Sequence, residues 1–563
     1  MPDRVFIFSL GPVQGFLAEA RRAQDLWAGS QLLSELARAA IRASQGRGAK
    51  VIYPADPDQE SLPNKFVVRL PESVDPEEVA RTAMKSALEA LKERAERAKE
   101  FLRGISPGDG TWDAIWQRQL ENHLEFFWAA ATIAEGYQAA YQRASRAFEA
   151  AKRTRPFPQT QEEDLKDSLS GRRSALHTAQ KDARAYWKQI ATSGKVTAAQ
   201  LKPDGRERLD ALGAIKRFGF GSDAERFPST SSVAAADYLA KVLGHPALEI
   251  YRKTLEAIPL FYRVSEDDRW PYDGDLLYLE TLASQRLQAS YGFREEHLTR
   301  YKEQLEDARQ SLRALYSVAG RPSPYYALLV MDGDSIGKRI ARCASEEEHR
   351  TLSQQMVEFA MQAREILKPY QGTAVYAGGD DILALLPLRG ALPAAQALAE
   401  SFAQKVPQGT ASAGLVLAHH LYPLGAVLSA GREAESWAKR MEGKNAVCVR
   451  ALKRSGEPIE VRSHWGNPGK LCGALCQWFA SGALASRFAY EVAANLPFLK
   501  GELVRSELKR LIRRHRNADK PDPPDPTDLA DRLAAWAESL PGGAEELAGW
   551  LLLARFIAQG GGE

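Results

Sequence analysis

The chain has 563 residues, 44% of them hydrophobic and 26% charged, and a formal net charge of +3. That length is too great for one ordinary domain, and the balance is that of a soluble globular protein, which excludes a fibrous or disordered chain. The near-neutral charge neither requires nor excludes a nucleic-acid partner. No apolar run reaches a membrane span (residues 550–558 are broken by Arg555) and no signal-peptide pattern opens the chain, so a cytoplasmic location with no membrane partner is expected.

Residues 4–10 (RVFIFSL) predict a buried strand, followed by a Gly11-Pro12-Val13-Gln14-Gly15 turn and a helix over about 16–42. A second apolar pair spans 51–53 and 66–70. From 75 to about 316 the pattern is mostly helical, with irregular stretches at 155–171 and 218–232. In that region the cluster Phe126-Phe127-Trp128 reads as core. Asp273-Gly274-Asp275, with no partner acids, reads as a loop or helix cap.

Pro322-Ser323-Pro324 marks a change of style. Residues 325–331 (YYALLVM) predict a buried strand that ends in Asp332-Gly333-Asp334. A helix over about 345–368 follows, then two strand segments, 373–376 and 382–386, flanking Gly378-Gly379-Asp380-Asp381 as a hairpin tip. A helix (392–404), a strand (411–418), a helix (425–441) and a strand (446–452) complete the unit. The order β-α-β-β-α-β with a further strand is that of a ferredoxin-like or palm sheet. After Trp465 the chain is helical, with a Pro/Asp-rich linker at 520–526.

The spacing repeats. Leu10 to Tyr53 echoes Met331 to Tyr376, and the first copy lacks the acids of the second. The expected fold is therefore α+β, with two ferredoxin-like palm domains, a helical insert and a helical C-terminal domain. The expected boundaries are 1–74 for the first palm (with later segments able to join it), 75–320 for the helical domain, 321–465 for the palm with the acids and 466–563 for the C-terminal domain.

An acid at a strand end plus an acidic pair on a neighbouring hairpin suits two-metal phosphoryl transfer, because Mg2+ or Mn2+ prefers hard oxygen ligands. Asp332, Asp380 and Asp381 are the expected catalytic and metal-binding residues, with Asp334 a further metal candidate only if the strand continues that far. Gly378 and Gly379 admit a nucleotide close to the backbone. Lys444, in Gly443-Lys444-Asn445, suits a triphosphate or a solvated turn equally. Gly-Gly-Asp-Asp alone is also an ordinary polar turn. His419 and His420 point to opposite faces of a strand and read as structural. The cysteines, Cys343, Cys448, Cys472 and Cys476, form no CxxC pair and read as small buried residues. Arg21 and Arg22 read as structural, and the basic run Lys509, Arg510, Arg513, Arg514, Arg516 reads as a solvated helix face.

Taken together these blocks resemble the large subunit of type III CRISPR effector complexes, a multi-domain palm polymerase/cyclase family, and most closely its III-B (Cmr) branch. The blocks are Phe6 to Gln14, Ala20-Arg21-Arg22 with Asp25 to Ser30, Phe227-Pro228-Ser229-Thr230-Ser231, Met331 to Lys338, the GGDD hairpin and Leu421-Tyr422-Pro423-Leu424. The resemblance implies conversion of ATP into cyclic oligoadenylates, switched on when guide RNA pairs with a target transcript inside a multi-subunit ribonucleoprotein. It implies that the first palm helps bind ATP through Ser9 to Pro12, with Ser9 and Gly11 as the contacts. Two departures are visible. No His-Asp dipeptide occurs, so no HD-type nuclease is expected in this chain. The family's zinc-knuckle cysteines read here as Asp167, Ser170, Asp210 and Gly213, so no zinc is expected and hydrogen bonds or packing must take its place. A non-catalytic scaffold is the alternative. A GGDEF-type cyclic dinucleotide synthase fits less well, because Asp381 is followed by Ile382-Leu383.

Overall fold

The structure, a computed structural model, describes residues 2–154, 162–203 and 205–561; residues 155–161 of the first irregular stretch lie outside them. The fold is α+β and forms two compact units. One comprises Met1–Ser229, Lys241–Gly320 and Ser335–Glu358, and the other Thr230–Ala240, Arg321–Asp334 and Phe359–Glu563.

In the first unit, strands β1 (Arg4–Gly11), β2 (Lys50–Tyr53), β3 (Lys65–Leu70) and β4 (Glu125–Thr132) form an antiparallel sheet in the order β2-β3-β1-β4. β1 lies in the middle, which is why Val5 to Leu10 are all buried. The helix Pro76–Arg103 starts on an Asp75 cap, with Pro76 in its first turn. Val79, Ala83, Ala87, Leu91, Ala95, Ala98 and Leu102 then give it one apolar stripe, which packs on the helix Ala23–Gly46. β4 departs from the helical reading. Its Ala-rich end (Ala129-Ala130-Ala131) suits either state, and pairing of Phe126, Phe127 and Trp128 with Leu10, Ser9 and Phe8 decides for strand. The single helix expected over 16–42 is broken. Gln14–Ala18 and Ala23–Gly46 are separate, with Arg22 extended between them.

In the second unit, strands β5 (Tyr325–Gly333), β6 (Thr373–Gly378), β7 (Asp381–Pro387), β8 (Ala411–His419), β9 (Ala446–Leu452) and β10 (Ile459–His464) run in the order β10-β9-β8-β5-β7-β6. Only β8 and β9 are parallel, and the helix Leu424–Lys439 connects them. β10 extends the sheet beyond the sequence reading. Trp536 Nε1 donates to Ser463 Oγ at 3.1 Å and Trp550 Nε1 to the Arg462 carbonyl at 3.2 Å, tying the C-terminal helices to that strand.

The internal echo is present in the topology, since β6-β7-β5-β8 repeats β2-β3-β1-β4. Both hairpins also carry a β-bulge immediately before a tyrosine, between Val51 and Tyr53 and between Ala374 and Tyr376. Aligning the bulges corrects the sequence reading by two residues. Tyr53 pairs with Val67 and Tyr376 with Leu383, while Val67 faces Ile7 and Leu383 faces Val330. Phe8, not Leu10, is the counterpart of Met331, and Ser9 is the counterpart of Asp332.

Candidate active site

β5 is the central strand of the second sheet because its apolar run is flanked by β7 and β8. Its register with β7 reaches Met331–Ile382, so the next facing position brings Asp332 opposite Asp381. Gly378 pairs with Asp381, which leaves a two-residue loop of Gly379 and Asp380. Gly379 has a φ of 67°, a conformation that glycine adopts at no steric cost and that such tight hairpins require. Strand pairing and one tight turn thus carry Asp332, Asp380 and Asp381 to the same end of the sheet.

The helix Leu424–Lys439 completes this end. It lies unusually close to β8: a Cβ on Gly414 would stand 2.3 Å from the Gly431 carbonyl oxygen and 2.4 Å from the Glu435 nitrogen. This approach sets Glu435 and Lys439, one turn apart, beside Asp332. The Lys439 ammonium forms an ion pair with Asp332 and a second, of 2.7 Å, with Glu435. The sequence reading missed both residues. A glutamate one turn beyond the buried Gly431, on a helix that covers a sheet, was the available signal.

The site is crowded with negative charge. Burial raises the Asp380 carboxyl above the ordinary carboxylate range, and the neighbouring Asp381 charge raises it further. Asp381 is exposed at the surface, yet its packed surroundings shift it in the same direction. Glu435 is pushed up to about 7 by burial and then by the charges of Asp381 and Asp334. Lys439 is pushed down to about 8, first by burial and then by the Lys444 charge. Lys444 therefore stands near the same acids, in a turn where its φ is 56°.

Asp334 is placed differently. Its carboxylate accepts hydrogen bonds from Thr410 Oγ1 (2.8 Å), Ser412 Oγ (2.8 Å) and the Asn445 N–H (2.9 Å). Through these donors it anchors the end of β5 to β8 and to the Lys444 turn.

Among the described residues, no three His, Cys, Asp or Glu side chains are already gathered as a ligand set. The donor chemistry nonetheless fits a hard divalent cation. Asp332, Asp380 and Asp381 supply only oxygen, two of them are held above their ordinary range, and a lysine ammonium already sits on the third.

Ser9 and Gly11 belong to the first unit, at the end of β1. By register Ser9 stands where the second unit has Asp332, and Lys65 where it has Asp381. Lys65 lies 5.0 Å from the Phe148 ring centroid, and burial lowers its pKa.

The positions that the resemblance sets against the family's knuckle cysteines form a hydrogen-bonded clasp. Asp167 Oδ1 accepts from the backbone N–H of Leu169 (2.8 Å) and Ser170 (2.6 Å), and Asp210 Oδ1 from the Gly213 N–H at 2.6 Å. Arg173 pairs with both Asp210 and Glu19. Beside it Arg217 makes a bidentate pair with Asp25 (2.6 and 2.7 Å), and Arg22 pairs with Glu207. Burial alone would raise Glu207, but Arg22 and Arg217 hold it down at about 2. Its value in the unfolded chain is about 4.3. The stabilisation is therefore complete above about pH 5 and is lost as pH falls from about 4.5 towards 2, up to ~3 kcal/mol. Urea midpoints measured across that range should fall less steeply for Glu207→Gln than for the wild type.

Several of the remaining candidates make local contacts. His420 Nδ1 is 2.7 Å from Ser231 Oγ, and Thr230 Oγ1 donates to the His420 carbonyl. Asp273 caps the short helix Gly274–Leu277. In the basic run, Arg510 pairs with Glu507 and Arg514 with Glu491.

Comparison with known proteins agrees with this architecture. A family model described as the second palm domain of Cas10/Cmr2 matches residues 325–448, and one described as the N-terminal region of the CRISPR-associated protein Cmr2 matches residues 5–60. The CRISPR system Cmr subunit Cmr2 of Pyrococcus furiosus is 26% identical, over 79% of this chain and 61% of its own length. The chain thus spans about three fifths of that relative. The cryo-EM structure of type III-B Cmr-beta in its apo state matches with a TM-score of 0.67 at 13% identity, covering 100% of this chain and 82% of the other. Cmr-beta bound to cognate target RNA matches with a TM-score of 0.62 at 12% identity, covering 93% and 80%. At these identities the structures share a fold with this chain.

Proposed function

We propose that this chain, which is similar to Cas10/Cmr2 proteins, converts ATP into cyclic oligoadenylates by two-metal nucleotidyl transfer, within an RNA-guided effector complex that target RNA switches on. The observation that carries the reading is the convergence of Asp332, Asp380 and Asp381 at one end of a palm sheet, where Asp380 and Asp381 are both shifted above the ordinary carboxylate range. These three residues would hold Mg2+ or Mn2+. When bound, the ions supply the Lewis acidity that activates a 3′-hydroxyl and stabilises the departing pyrophosphate. Gly378 and Gly379 would let the nucleotide approach the backbone at the hairpin, and Lys444 would offer a positive charge to its phosphates. Ser9 and Gly11 would contact ATP from the first palm. The partners would be guide RNA, target RNA and the other effector subunits, since a structural relative of this fold is described as bound to cognate target RNA. Among the described residues no helix is long and apolar enough to cross a membrane.

The test is the full chain, assembled with its guide RNA and partner subunits and supplied with ATP and Mg2+. Chromatography should identify oligoadenylates when target RNA is present and little or none without it. Intact target binding with no oligoadenylate product would leave a scaffold as the role of the chain.

A further inference from the structure

We propose that Lys439 is a displaceable internal counter-ion, whose ammonium occupies Asp332 until a divalent cation enters and takes that carboxylate from it. The inference rests on the reading of Asp332, Asp380 and Asp381 as cation ligands, and adds a residue that competes with the cation they bind.

Three observations carry it. First, the Lys439 ammonium is paired with Asp332 itself, the strand-end acid, and not only with its helical neighbour Glu435. A carboxylate whose Oδ2 already holds an ammonium offers less charge to an entering ion, so the two cations compete for it and the apparent affinity of the site falls. Second, the pair is open to solvent. The Lys439 side chain is 25% exposed and that of Asp332 27%, so an ion can reach the carboxylate without the fold opening. Third, Lys439 has somewhere to go. It is the last residue of the helix Leu424–Lys439, where a positive charge is favoured by the helix dipole. Its 2.7 Å pair with Glu435 also survives the loss of Asp332, so displacement strands no charge. The charged groups around it are Asp332, Glu435 and Lys444, and Lys444 repels it.

The proposal predicts an effect opposite in sign to that of a lysine with a merely structural role. Mn2+ is titrated into the full chain without nucleotide, and free aquo-Mn2+ is followed by electron paramagnetic resonance. Lys439→Met should bind Mn2+ more tightly than wild type, by up to about fivefold, the factor a partly exposed ion pair supplies. Lys439→Arg, which keeps the charge, should stay within about twofold of wild type on the same grounds. Adding Asp332→Asn to Lys439→Met should erase the gain. Mn2+ should also raise the melting temperature of Lys439→Met by more than that of wild type. Should Lys439→Met fail to fold, Lys439→Gln makes the same comparison. Equal or weaker binding by the folded neutral variant, with wild type binding normally, overturns the counter-ion and leaves the ligand assignment standing. No Mn2+ binding by either protein overturns the ligand assignment and the counter-ion together.

Discussion

Replacing Asp380 and Asp381 together by alanine is expected to lower oligoadenylate synthesis about a thousandfold or more, while the melting temperature stays unchanged or rises. The loss follows from metal catalysis, in which ligated ions contribute several kcal/mol of transition-state stabilisation and each ~1.4 kcal/mol is a factor of ten. The stability half follows from the site itself. Both carboxyls are shifted upward, so their ionised forms are less comfortable in the folded chain than in the unfolded one. Removing them relieves that repulsion, as is common where a site holds like charges for function. Asp334→Ala should behave in the opposite way. It leaves Thr410, Ser412 and the Asn445 N–H without their acceptor, and should cost about 3 kcal/mol of stability. Thermal melts and product chromatography on the same preparations separate the two cases. Full synthesis by the double variant would remove Asp380 and Asp381 from the mechanism.

How much of this was legible in the sequence depended on whether a residue's role was set locally. The acids of the GGDD hairpin were legible because a two-residue turn and a strand end are local features, readable from Gly-Gly-Asp-Asp and from an apolar run ending in Asp332. Asp334 lies two residues further on, and its role was not legible. It is set by Thr410, Ser412 and Asn445, whose approach depends on β8 and on the turn before β9. Glu435 and Lys439 were hidden for a related reason. A glutamate and a lysine four apart on a helix read as an ordinary solvated pair, and only the packing of that helix on β5 and β8 turns them towards Asp332. The strand β4 was obscured by alanine, which suits a helix until β1 offers it a partner. The echo was legible in spacing but misplaced by two residues, because chain spacing cannot reveal where a bulge absorbs a residue.

The packing that hides Glu435 and Lys439 in the sequence also makes Gly414 a sensitive position outside the acids. Gly414→Ala is expected to destabilise the protein by about 3 kcal/mol and to lower synthesis roughly a hundredfold in whatever fraction remains folded. The new methyl would meet backbone atoms, the Gly431 oxygen at 2.3 Å and the Glu435 nitrogen at 2.4 Å, and no rotamer change can clear them. The helix Leu424–Lys439 must lift from β8, and Glu435 and Lys439 move with it. β8 also flanks β5, so the strand that carries Asp332 shifts with it, and a displacement of ~1 Å at such a ligand set typically costs two orders of magnitude in rate. Gly431→Ala is the graded comparison. Its methyl would meet only the side-chain tips of Leu328 (2.7 Å) and Val330 (2.9 Å), which can shift, so a smaller loss of ~1–2 kcal/mol is expected. Gly473→Ala is the control. It lies in the helix Asn467–Ser481 with nothing within 4 Å of the added carbon, and should gain up to ~1 kcal/mol from helix propensity. Urea midpoints should rank Gly473→Ala highest, then wild type, Gly431→Ala and Gly414→Ala. A Gly414→Ala protein as stable and as active as wild type would mean that the contact between this helix and β8 does not set the position of Glu435 and Lys439.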